Sequence, residues 1–514
     1  MLFADVVTTS AEVGSTRSRL AKVASLAALI RRAESPRETG VLVAYLSGAP
    51  TQGRLGTGWR TLAAVAADRT APATGRPVPS LTVLDVDAAL DELAATSGAG
   101  SVRRRAEVLG ALFGAATDDE RRFLVRLMTG ELRQGALEGV MLDAIATASG
   151  VAADRVRRAF MLSGRLAETA AEAMAGGAEA LDAVTLRVGR PVRPMLASPA
   201  ESVGDALSQL GSCLVEYKLD GARIQVHRAG QEVGVYTRTL RDITESVPEL
   251  VELVRALPCE SVVLDGETLA LTDDGRPRPF QETMSRFGAT LDEQVAANLL
   301  RPYFFDCLHL DGVDLIDAPL ARRNRALHTA APGHVMPGVV TEDPAEAHRV
   351  LDDALDAGHE GVVVKAIDSV YAAGRRGKAW QKVKPVHTVD LVVLGAEWGH
   401  GRRTGYLSNL HLGARDPDGG PPIMVGKTFK GMTDELLAWQ TAEFPRHEER
   451  RDDWAVYLRP ELVVEIALDG VQASTRYPGG VALRFARVVR YRPDRTAAEA
   501  DTIDTVRALR MKAD

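Results

Sequence analysis

The spacing of apolar residues changes along the chain and separates a helical part from parts that are rich in strands. In residues 1–190 apolar side chains recur at intervals of three and four, as in 86–93, 106–113 and 123–128, and strand signals are scarce. This spacing puts the apolar side chains on one face of a helix. The pattern therefore predicts an all-helical N-terminal domain over residues 1–190.

Beyond residue 190 the pattern becomes one of strands. Residues 191–196, Pro-Val-Arg-Pro-Met-Leu, predict a stiff junction because each proline restricts the residue before it. Residues 262–264 and 362–364 are continuous apolar runs, typical of strands that are buried on both faces. We predict a multidomain α and α+β protein whose second domain, residues 191–386, is built on β-sheet.

The last part of the chain predicts a small barrel. Past Pro385 short apolar segments alternate with turns, and the candidate strands are 390–396, 410–414, 423–427 and 462–466. About five such strands suit a Greek-key β-barrel of the oligonucleotide-binding (OB) type. We assign residues 387–514 to this domain.

The most informative stretch is residues 216–223, Glu-Tyr-Lys-Leu-Asp-Gly-Ala-Arg. It places the amine of Lys218 two residues from a carboxylate on either side, with Arg223 five residues further on. The flanking segments are apolar or alternating and rich in β-branched residues, so they predict two strands joined by a glycine turn. A lysine that is held at a strand end is a candidate nucleophile.

A lysine nucleophile needs a shifted protonation equilibrium. A free lysine has a pKa of about 10.4, so roughly one molecule in a few thousand carries the neutral amine at pH 7. Desolvation, a metal ion or a second cation could each contribute to the required shift of about three units. Taken alone, Lys-x-Asp-Gly is equally compatible with an ordinary surface turn.

Carboxylates accompany both apolar runs. Glu267 follows the first run, and Glu360 precedes the second, which ends at Lys365. A carboxylate at such a strand edge is costly unless it is paired or bound to a metal. Oxygen donors beside a polyphosphate suit Mg²⁺. A salt bridge that caps each strand is the alternative interpretation.

Aromatic and basic residues add further candidates. Phe305 ends an aromatic run that would ordinarily be core, although stacking on a base contributes about 1–3 kcal/mol. Lys382 and Lys384 alternate along a predicted strand, so both ammonium groups lie on one face. That face suits a phosphate, or it belongs to a solvated edge strand.

Taken together and in order, these elements resemble those of the covalent nucleotidyltransferases. Among these enzymes they are most similar to the ATP-dependent DNA ligases of the actinobacterial ligase B type. The elements that carry the resemblance are residues 216–223, 236–238, 262–267, 279–281, 303–306, 360–365, 374–384 and 483–495. The resemblance implies a helical DNA-binding domain, an antiparallel-sheet nucleotidyltransferase (adenylation) domain and a C-terminal OB-fold β-barrel.

The resemblance also implies roles for individual residues. Lys218 is then the catalytic nucleophile, and Glu267 and Glu360 hold Mg²⁺. Phe305 is expected to stack on adenine, and the arginine-rich element 484–495 is expected to close over ATP. The implied nucleotide-binding residues are Glu216, Arg223, Arg238, Glu267, Phe305, Arg376, Lys382 and Lys384. Arg495 stands where the family has a lysine, and arginine keeps the charge but not the point-like geometry.

The implied reaction has three steps. Lys218 attacks the α-phosphate of ATP, the AMP passes to the 5′-phosphate of a nicked strand, and the neighbouring 3′-hydroxyl then displaces AMP. We therefore expect an ATP-dependent DNA ligase, with ATP as adenylate donor and Mg²⁺ as cofactor. It would seal nicks in double-stranded DNA during replication, repair or recombination.

Overall composition adds less to the picture. The net charge of −7 does not itself suggest a nucleic-acid partner, since binding depends on local clusters of cations. Lys427 and Lys430 could face DNA or solvent. The three cysteines lack metal-type spacing, and no apolar run approaches a membrane span. We expect a cytoplasmic, nucleoid-associated protein, a monomer with no membrane partner.

Other functions share parts of this pattern. An RNA ligase or a capping-type guanylyltransferase would use the same lysine chemistry, but the large helical domain fits the DNA enzymes better. A NAD-dependent ligase is disfavoured because zinc-type cysteine spacing is absent. A catalytically silent DNA-binding scaffold would have no need to keep the lysine and the carboxylates together. Residues 130–135 resemble a backbone-approaching turn of ligase DNA-binding domains, or are an ordinary turn between helices.

Overall fold

The N-terminal region is helical, as predicted. The computed structural model describes residues 1–53, 55–58, 61–62, 78–132, 134–135, 138–272, 277–278, 283, 300–372 and 377–509. Its N-terminal helices are α1 (Phe3–Ser15), α2 (Arg19–Ile30), α3 (Pro36–Ser47), α4 (Val83–Ala95), α5 (Ser101–Ala115), α6 (Asp118–Met128), α7 (Glu138–Ser149), α8 (Ala153–Ser163) and α9 (Leu166–Asp182). Their apolar faces share one core that includes Phe3, Leu42 and Leu124. No helix in the described ranges is both long and apolar enough to cross a bilayer.

Local sequence signals explain where several of these helices begin. Ser35 accepts a hydrogen bond from the backbone N–H of Glu38, and Pro36 opens α3. Thr82 and Thr117 each form a capping box with an acidic residue three positions later. Such caps satisfy backbone N–H groups that have no partner within the helix.

The central region contains two sheets that are almost entirely antiparallel. Its strands are β1 (Ser198–Pro199), β2 (Cys213–Lys218), β3 (Ala222–Ala229), β4 (Glu232–Thr237), β5 (Ser261–Ala270), β6 (Leu300–Leu310), β7 (Val313–Asp314), β8 (Gly338–Thr341), β9 (Gly361–Ala366) and β10 (Trp380–Val383). One sheet has the order β1-β10-β9-β2-β8 and the other β4-β3-β5-β6-β7; only the β1–β10 pair is parallel. The accompanying helices are α10 (Val203–Leu210), α11 (Pro248–Arg255), α12 (Leu320–Ala330) and α13 (Pro344–Asp356).

The two strands that flank the Lys218 turn belong to different sheets. β2 pairs with β8 and β9, whereas β3 pairs with β4 and β5. The turn between them is therefore a crossing from one sheet to the other and not a hairpin. Lys218, the last residue of β2, lies at the seam where the two sheets meet.

The C-terminal region is an antiparallel sheet domain of the predicted OB type. Its elements are β11 (His387–Trp398), β12 (Leu407–Ala414), β13 (Ile423–Thr428), α14 (Asp434–Glu443), β14 (Glu448–Arg451), β15 (Ala455–Leu458), β16 (Val463–Leu468), β17 (Gly470–Ala473), β18 (Val481–Arg484), β19 (Arg487–Tyr491) and α15 (Ile503–Ala508). The long strand β11 pairs with β12, β15 and β16, so the sheet bends around a core that includes Leu391, Leu410 and Ile466. The predicted strands match β11, β12, β13 and β16.

A short connecting segment ties the helical region to the central sheets. The N–H of Gly189 donates to Nδ1 of His227 (3.0 Å), and the N–H of Val192 donates to Oε1 of Gln225 (2.7 Å). Nε2 of His227 lies 2.9 Å from the same Gln225 oxygen. Since Nδ1 accepts the bond from Gly189, the proton of the neutral ring belongs on Nε2, which donates to the Gln225 oxygen. Burial lowers the pKa of His227 to about 3, so the ring stays neutral in this arrangement.

Candidate active site

Strand pairing brings Lys218 and Glu360 together. In the β2–β9 ladder Lys218 lies opposite Gly361, and the N–H of Glu360 donates to the carbonyl oxygen of Lys218 (3.0 Å). The ammonium group of Lys218 forms a salt bridge with the carboxylate of Glu360. The side chain of Lys218 is 23% exposed, so the candidate nucleophile is held in place and still reachable.

Glycine allows this close approach of backbones. Gly361 has φ +143°, and a Cβ atom there would lie 2.3 Å from the carbonyl oxygen of Val383. A Cβ atom on Gly221 would lie 2.5 Å from the carbonyl oxygen of Thr268. Neither position leaves room for a side chain, which explains the glycine after Asp220 and the glycine after Glu360.

The second sheet contributes Arg223 and Glu267, which lie opposite each other in the β3–β5 ladder. Arg223 forms a bidentate pair with Asp265, at 3.0 and 2.6 Å, and donates to the carbonyl oxygen of Met195 (2.6 Å). The hydroxyl of Tyr371 donates to the same Asp265 carboxylate (2.6 Å). Arg223 is therefore fixed by the protein itself, on the wall of the cavity.

The apolar run at residues 262–264 predicts that Glu267 lies at the edge of a strand. In the structure Glu267 lies inside the ten-residue strand β5. Burial raises the pKa of Glu267 to about 7, although Arg223 and Lys218 act in the opposite direction. Within the described residues no basic side chain lies within salt-bridge distance of its carboxylate. A half-buried carboxylate of this kind, on the cavity wall, is a strong candidate to accept a cation from outside.

A second buried pair lies deeper, next to an aromatic wall. The ammonium group of Lys365 forms a salt bridge with Glu216, and both side chains are almost fully buried. Lys365 also donates to the carbonyl oxygen of Phe305 (3.1 Å) and lies 4.5 Å from the Phe305 ring centroid and 4.2 Å from that of Trp380. The sequence contained Lys365 within a recognised element but gave it no role. Its signal was a lysine that directly follows a run of three valines.

The two lysine–glutamate pairs, Arg223, Glu267 and the aromatic wall line one cavity of about 850 Å³. The predicted site residues on its wall are Glu216, Lys218, Arg223, Arg238, Glu267, Phe305, Glu360, Lys382 and Lys384. Arg238 is exposed just beyond β4, whereas Lys382 lies in β10 and Lys384 directly follows that strand. Arg376 and residues 279–281 lie outside the described residues.

The C-terminal domain closes one side of the cavity. Arg484 forms a bidentate pair with Asp220, at 2.5 and 3.1 Å, and Lys384 pairs with Asp469 (2.5 Å). Phe485 and Arg487 line the cavity as well. The other arginines of the predicted arginine-rich element form salt bridges within the C-terminal domain. Arg490 pairs with Glu465, Arg492 pairs with both Asp390 and Asp494, and Arg495 pairs with Asp390.

Geometry alone defines a class of enzyme. A strand-end lysine faces carboxylates, an aromatic wall and a row of cations inside a cavity large enough for a nucleotide, and a second domain supplies more cations. This arrangement is that of a covalent nucleotidyltransferase.

Comparison with known proteins gives the family. Three family models match the chain in order: "DNA ligase N terminus" over residues 60–146, "ATP dependent DNA ligase domain" over 194–384, and "ATP dependent DNA ligase C terminal region" over 403–495. The "Probable DNA ligase" of Rhodococcus jostii is 66% identical over 510 residues, covering 99% of each chain. That of Saccharopolyspora erythraea is 66% identical, covering 99% of this chain and 98% of the relative.

The protein belongs to the ATP-dependent DNA ligase family. A solved structure called "Pmar-Lig_PreS3" shares the fold, with a TM-score of 0.59 at 16% identity, over 95% of this chain and 99% of that one. The general function of the family is the sealing of nicks in DNA with ATP, and Mg²⁺ is its usual cofactor. This assignment confirms the ligase prediction over the RNA-ligase, guanylyltransferase and scaffold alternatives.

Proposed function

We propose that the cavity at the seam of the two sheets carries out ATP-dependent nick sealing, with Lys218 as the nucleophile that becomes adenylated. The observation that supports this most strongly is the convergence of Lys218, Glu360 and Lys384 from three separate chain segments on one cavity. Lys384 Nζ lies 3.9 Å from Glu360, so the nucleophile and a phosphate-binding cation share a carboxylate neighbour.

The buried pair at the aromatic wall accounts for the choice of base. Adenine offers an amino donor at N6 and an acceptor at N1, whereas guanine offers an acceptor at O6 and a donor at N1. With Glu216 facing position 6 of the base and Lys365 facing position 1, the pair accepts from N6 and donates to N1 of adenine, whereas guanine would need the reverse order. Phe305, on the same wall, offers a surface for stacking. This complementarity favours ATP over GTP.

Glu267 and Glu360 are the residues that would hold Mg²⁺. Both line the cavity, and the half-buried Glu267 carboxylate lacks a salt bridge among the described residues. No group of three or more His, Cys, Asp or Glu side chains in the described ranges could enclose a metal, so phosphate oxygens and water would complete the coordination. When bound, Mg²⁺ supplies positive charge to the phosphates and competes with the Lys218 ammonium for Glu360.

In the first step Nζ of Lys218 attacks the α-phosphorus of ATP. A P–N bond forms, the bond from the α-phosphorus to the oxygen bridging to the β-phosphate breaks, pyrophosphate leaves, and Nζ gives up a proton. Lys382 and Lys384 bind the phosphates, and Arg484 approaches from the C-terminal domain. AMP then passes to a 5′-phosphate, and the 3′-hydroxyl of the adjoining strand displaces it.

The test is adenylation of the purified full-length protein. The wild-type chain, incubated with Mg²⁺ and ATP labelled at the α-phosphate, should carry label through denaturing electrophoresis and pass it to nicked DNA. Lys218→Ala should carry none, because the substitution removes the amine that attacks the α-phosphorus. Labelled GTP and NAD serve as controls for the base and the leaving group. Normal labelling of Lys218→Ala would refute the assignment of the nucleophile.

The finer organisation follows from the same proposal. We divide the chain into a helical DNA-binding domain (1–190), an adenylation domain (191–386) and an OB-fold domain (387–514). Nicked double-stranded DNA would be bound by a monomer, in which each of the three parts has a hydrophobic core of its own. A cytoplasmic, nucleoid-associated location is consistent with that substrate.

A further inference from the structure

A loop outside the recognised sequence elements is fastened to the arginine-rich element of the C-terminal domain. The hydroxyl of Thr428 donates to the carbonyl oxygen of Ala486 (2.5 Å), and the N–H of Val488 donates to the carbonyl oxygen of Lys430 (3.0 Å). Gly431 has φ +79°, and a Cβ atom there would lie 2.2 Å from the carbonyl oxygen of Val488. Lys430 therefore moves together with Phe485 as part of one rigid unit.

Phe485 organises a group of cations at the mouth of the cavity. Its ring is 55% exposed, and its φ of +53° is unusual for a non-glycine residue. Lys430 Nζ lies 5.2 Å from the ring centroid, Lys384 Nζ 5.8 Å and the Arg484 guanidinium 5.9 Å. Strained backbone of this kind is found at ligand sites, where the rest of the fold holds it in place.

The three cations differ in their partners. Arg484 is paired with Asp220 and Lys384 with Asp469, so each has a protein carboxylate. Lys430, by contrast, forms no salt bridge or side-chain hydrogen bond with any described residue, although its side chain lines the same cavity as Lys218. The position of Lys430 thus adds positive charge to the cavity wall that no described carboxylate neutralises through a salt bridge.

We propose that Lys430 binds the β- and γ-phosphates of ATP when the C-terminal domain is closed, and that it stabilises the departing pyrophosphate. The inference rests on the proposed function, because it takes the cavity to be the ATP site. When the P–N bond to Lys218 forms and the α–β phosphoanhydride bond breaks, negative charge develops on the pyrophosphate. The Lys430 ammonium donates hydrogen bonds to that anion, without itself losing a proton.

The experiment measures the separate steps in full-length Lys430→Met, with Lys430→Arg and Lys427→Met as companions. Lys427 lies on the adjoining strand, is ion-paired with Glu397 and does not line the cavity, so it controls for loss of one charge in the same domain. In Lys430→Met we expect the ATP concentration for half-maximal formation of lysyl-AMP to rise about tenfold, the usual effect of losing one charge-assisted hydrogen bond. Lys430→Arg should recover most of the loss, and Lys427→Met should match the wild type.

The reverse reaction gives a second readout. Removal of AMP from the adenylated enzyme by pyrophosphate should require a correspondingly higher pyrophosphate concentration in Lys430→Met. Sealing of a nick that is already adenylated, which uses no ATP, should proceed at the wild-type rate.

Two outcomes would overturn the proposal. In the first, Lys430→Met forms lysyl-AMP normally but seals the adenylated nick slowly, so the lysine faces DNA. In the second, Lys427→Met and Lys430→Met raise the ATP requirement equally, so the effect is a general one of charge. Failure of the wild-type protein to form lysyl-AMP at all would instead refute the proposed function itself.

Discussion

The buried pair of Lys365 and Glu216 allows a quantitative prediction. The side chains are 1% and 4% exposed, and the pair is enclosed by the rings of Phe305 and Trp380. Lys365→Met keeps the length and apolar stem of the side chain but removes the ammonium group. The Glu216 carboxylate then stays buried without its partner, which costs about 3–5 kcal/mol of unfolding free energy when one member of a buried pair is removed.

The sign of the pH dependence follows from the pKa of Glu216. Burial raises this pKa above its ordinary value, and the Lys365 ammonium acts against that rise. Without Lys365 the folded-state pKa rises further, so stability is retained at low pH and lost as the pH increases towards the folded-state pKa. For each pH unit between the Glu216 pKa in the folded wild type and that in folded Lys365→Met, the variant loses up to about 1.4 kcal/mol more unfolding free energy than the wild type. The loss in Lys365→Met should therefore be larger at pH 8 than at pH 6.

Calorimetric unfolding of the full-length protein at both pH values measures the effect. The transition of the adenylation domain is the one that ATP shifts in the wild-type protein. For a domain of this size the predicted loss lowers its Tm by roughly 10 °C at pH 8. The double variant Glu216→Gln, Lys365→Met removes both charges and should regain most of the stability at either pH. A loss below about 1 kcal/mol, or an equal loss at pH 6 and 8, would refute the reasoning.

Two further predictions concern backbone and linker. Gly361→Ala forces a Cβ atom against the carbonyl oxygen of Val383. The rate of lysyl-AMP formation should therefore fall at least tenfold, while the circular dichroism spectrum stays unchanged. Full adenylation activity in this variant would contradict the strain argument. His227 has a folded-state pKa well below the ordinary value. Its contribution to the free energy of unfolding is therefore complete above about pH 6.5 and is lost as the pH falls. The matched variant is His227→Asn, which still offers an acceptor to Gly189. When the pH falls from 6.5 to 5, calorimetry should show the wild type losing about 2 kcal/mol more unfolding free energy than this variant. Equal losses in both proteins would exclude His227 as the source of the pH dependence.

Much of the site could be predicted because its chemistry is local in sequence. The octet around Lys218 holds a nucleophile, two carboxylates and a glycine within eight residues, and such an arrangement is legible without a fold. Helices and strands were also predictable, since apolar spacing reflects which face of each element is buried. The same spacing separated the three regions of the chain.

Other features depended on contacts between distant segments. The pairing of β2 with β9 brings Glu360 to Lys218 across 142 positions of sequence. No local sequence pattern indicates a contact between residues that are so far apart in the chain. Charge and burial of Lys365 could not be inferred, because a lysine after an apolar run is ordinarily exposed and only the fold supplies Glu216 beside it. Likewise the arginine-rich element divides between the cavity, at Arg484, and internal salt bridges, at Arg495, because Arg484 ends β18 at the cavity whereas Arg495 lies beyond the end of β19.

By itself, then, the sequence determined the candidate nucleophile, the order of the three regions and the class of chemistry, because these depend on residue types at short, regular spacing. Tertiary structure alone decided which carboxylate faces Lys218, that the glycine turn crosses between two sheets, and that Lys430 reaches the cavity. The physical reason is that a side chain's charge state and partner are set by burial and by neighbours in space, and those neighbours come from strands and loops far apart in the chain.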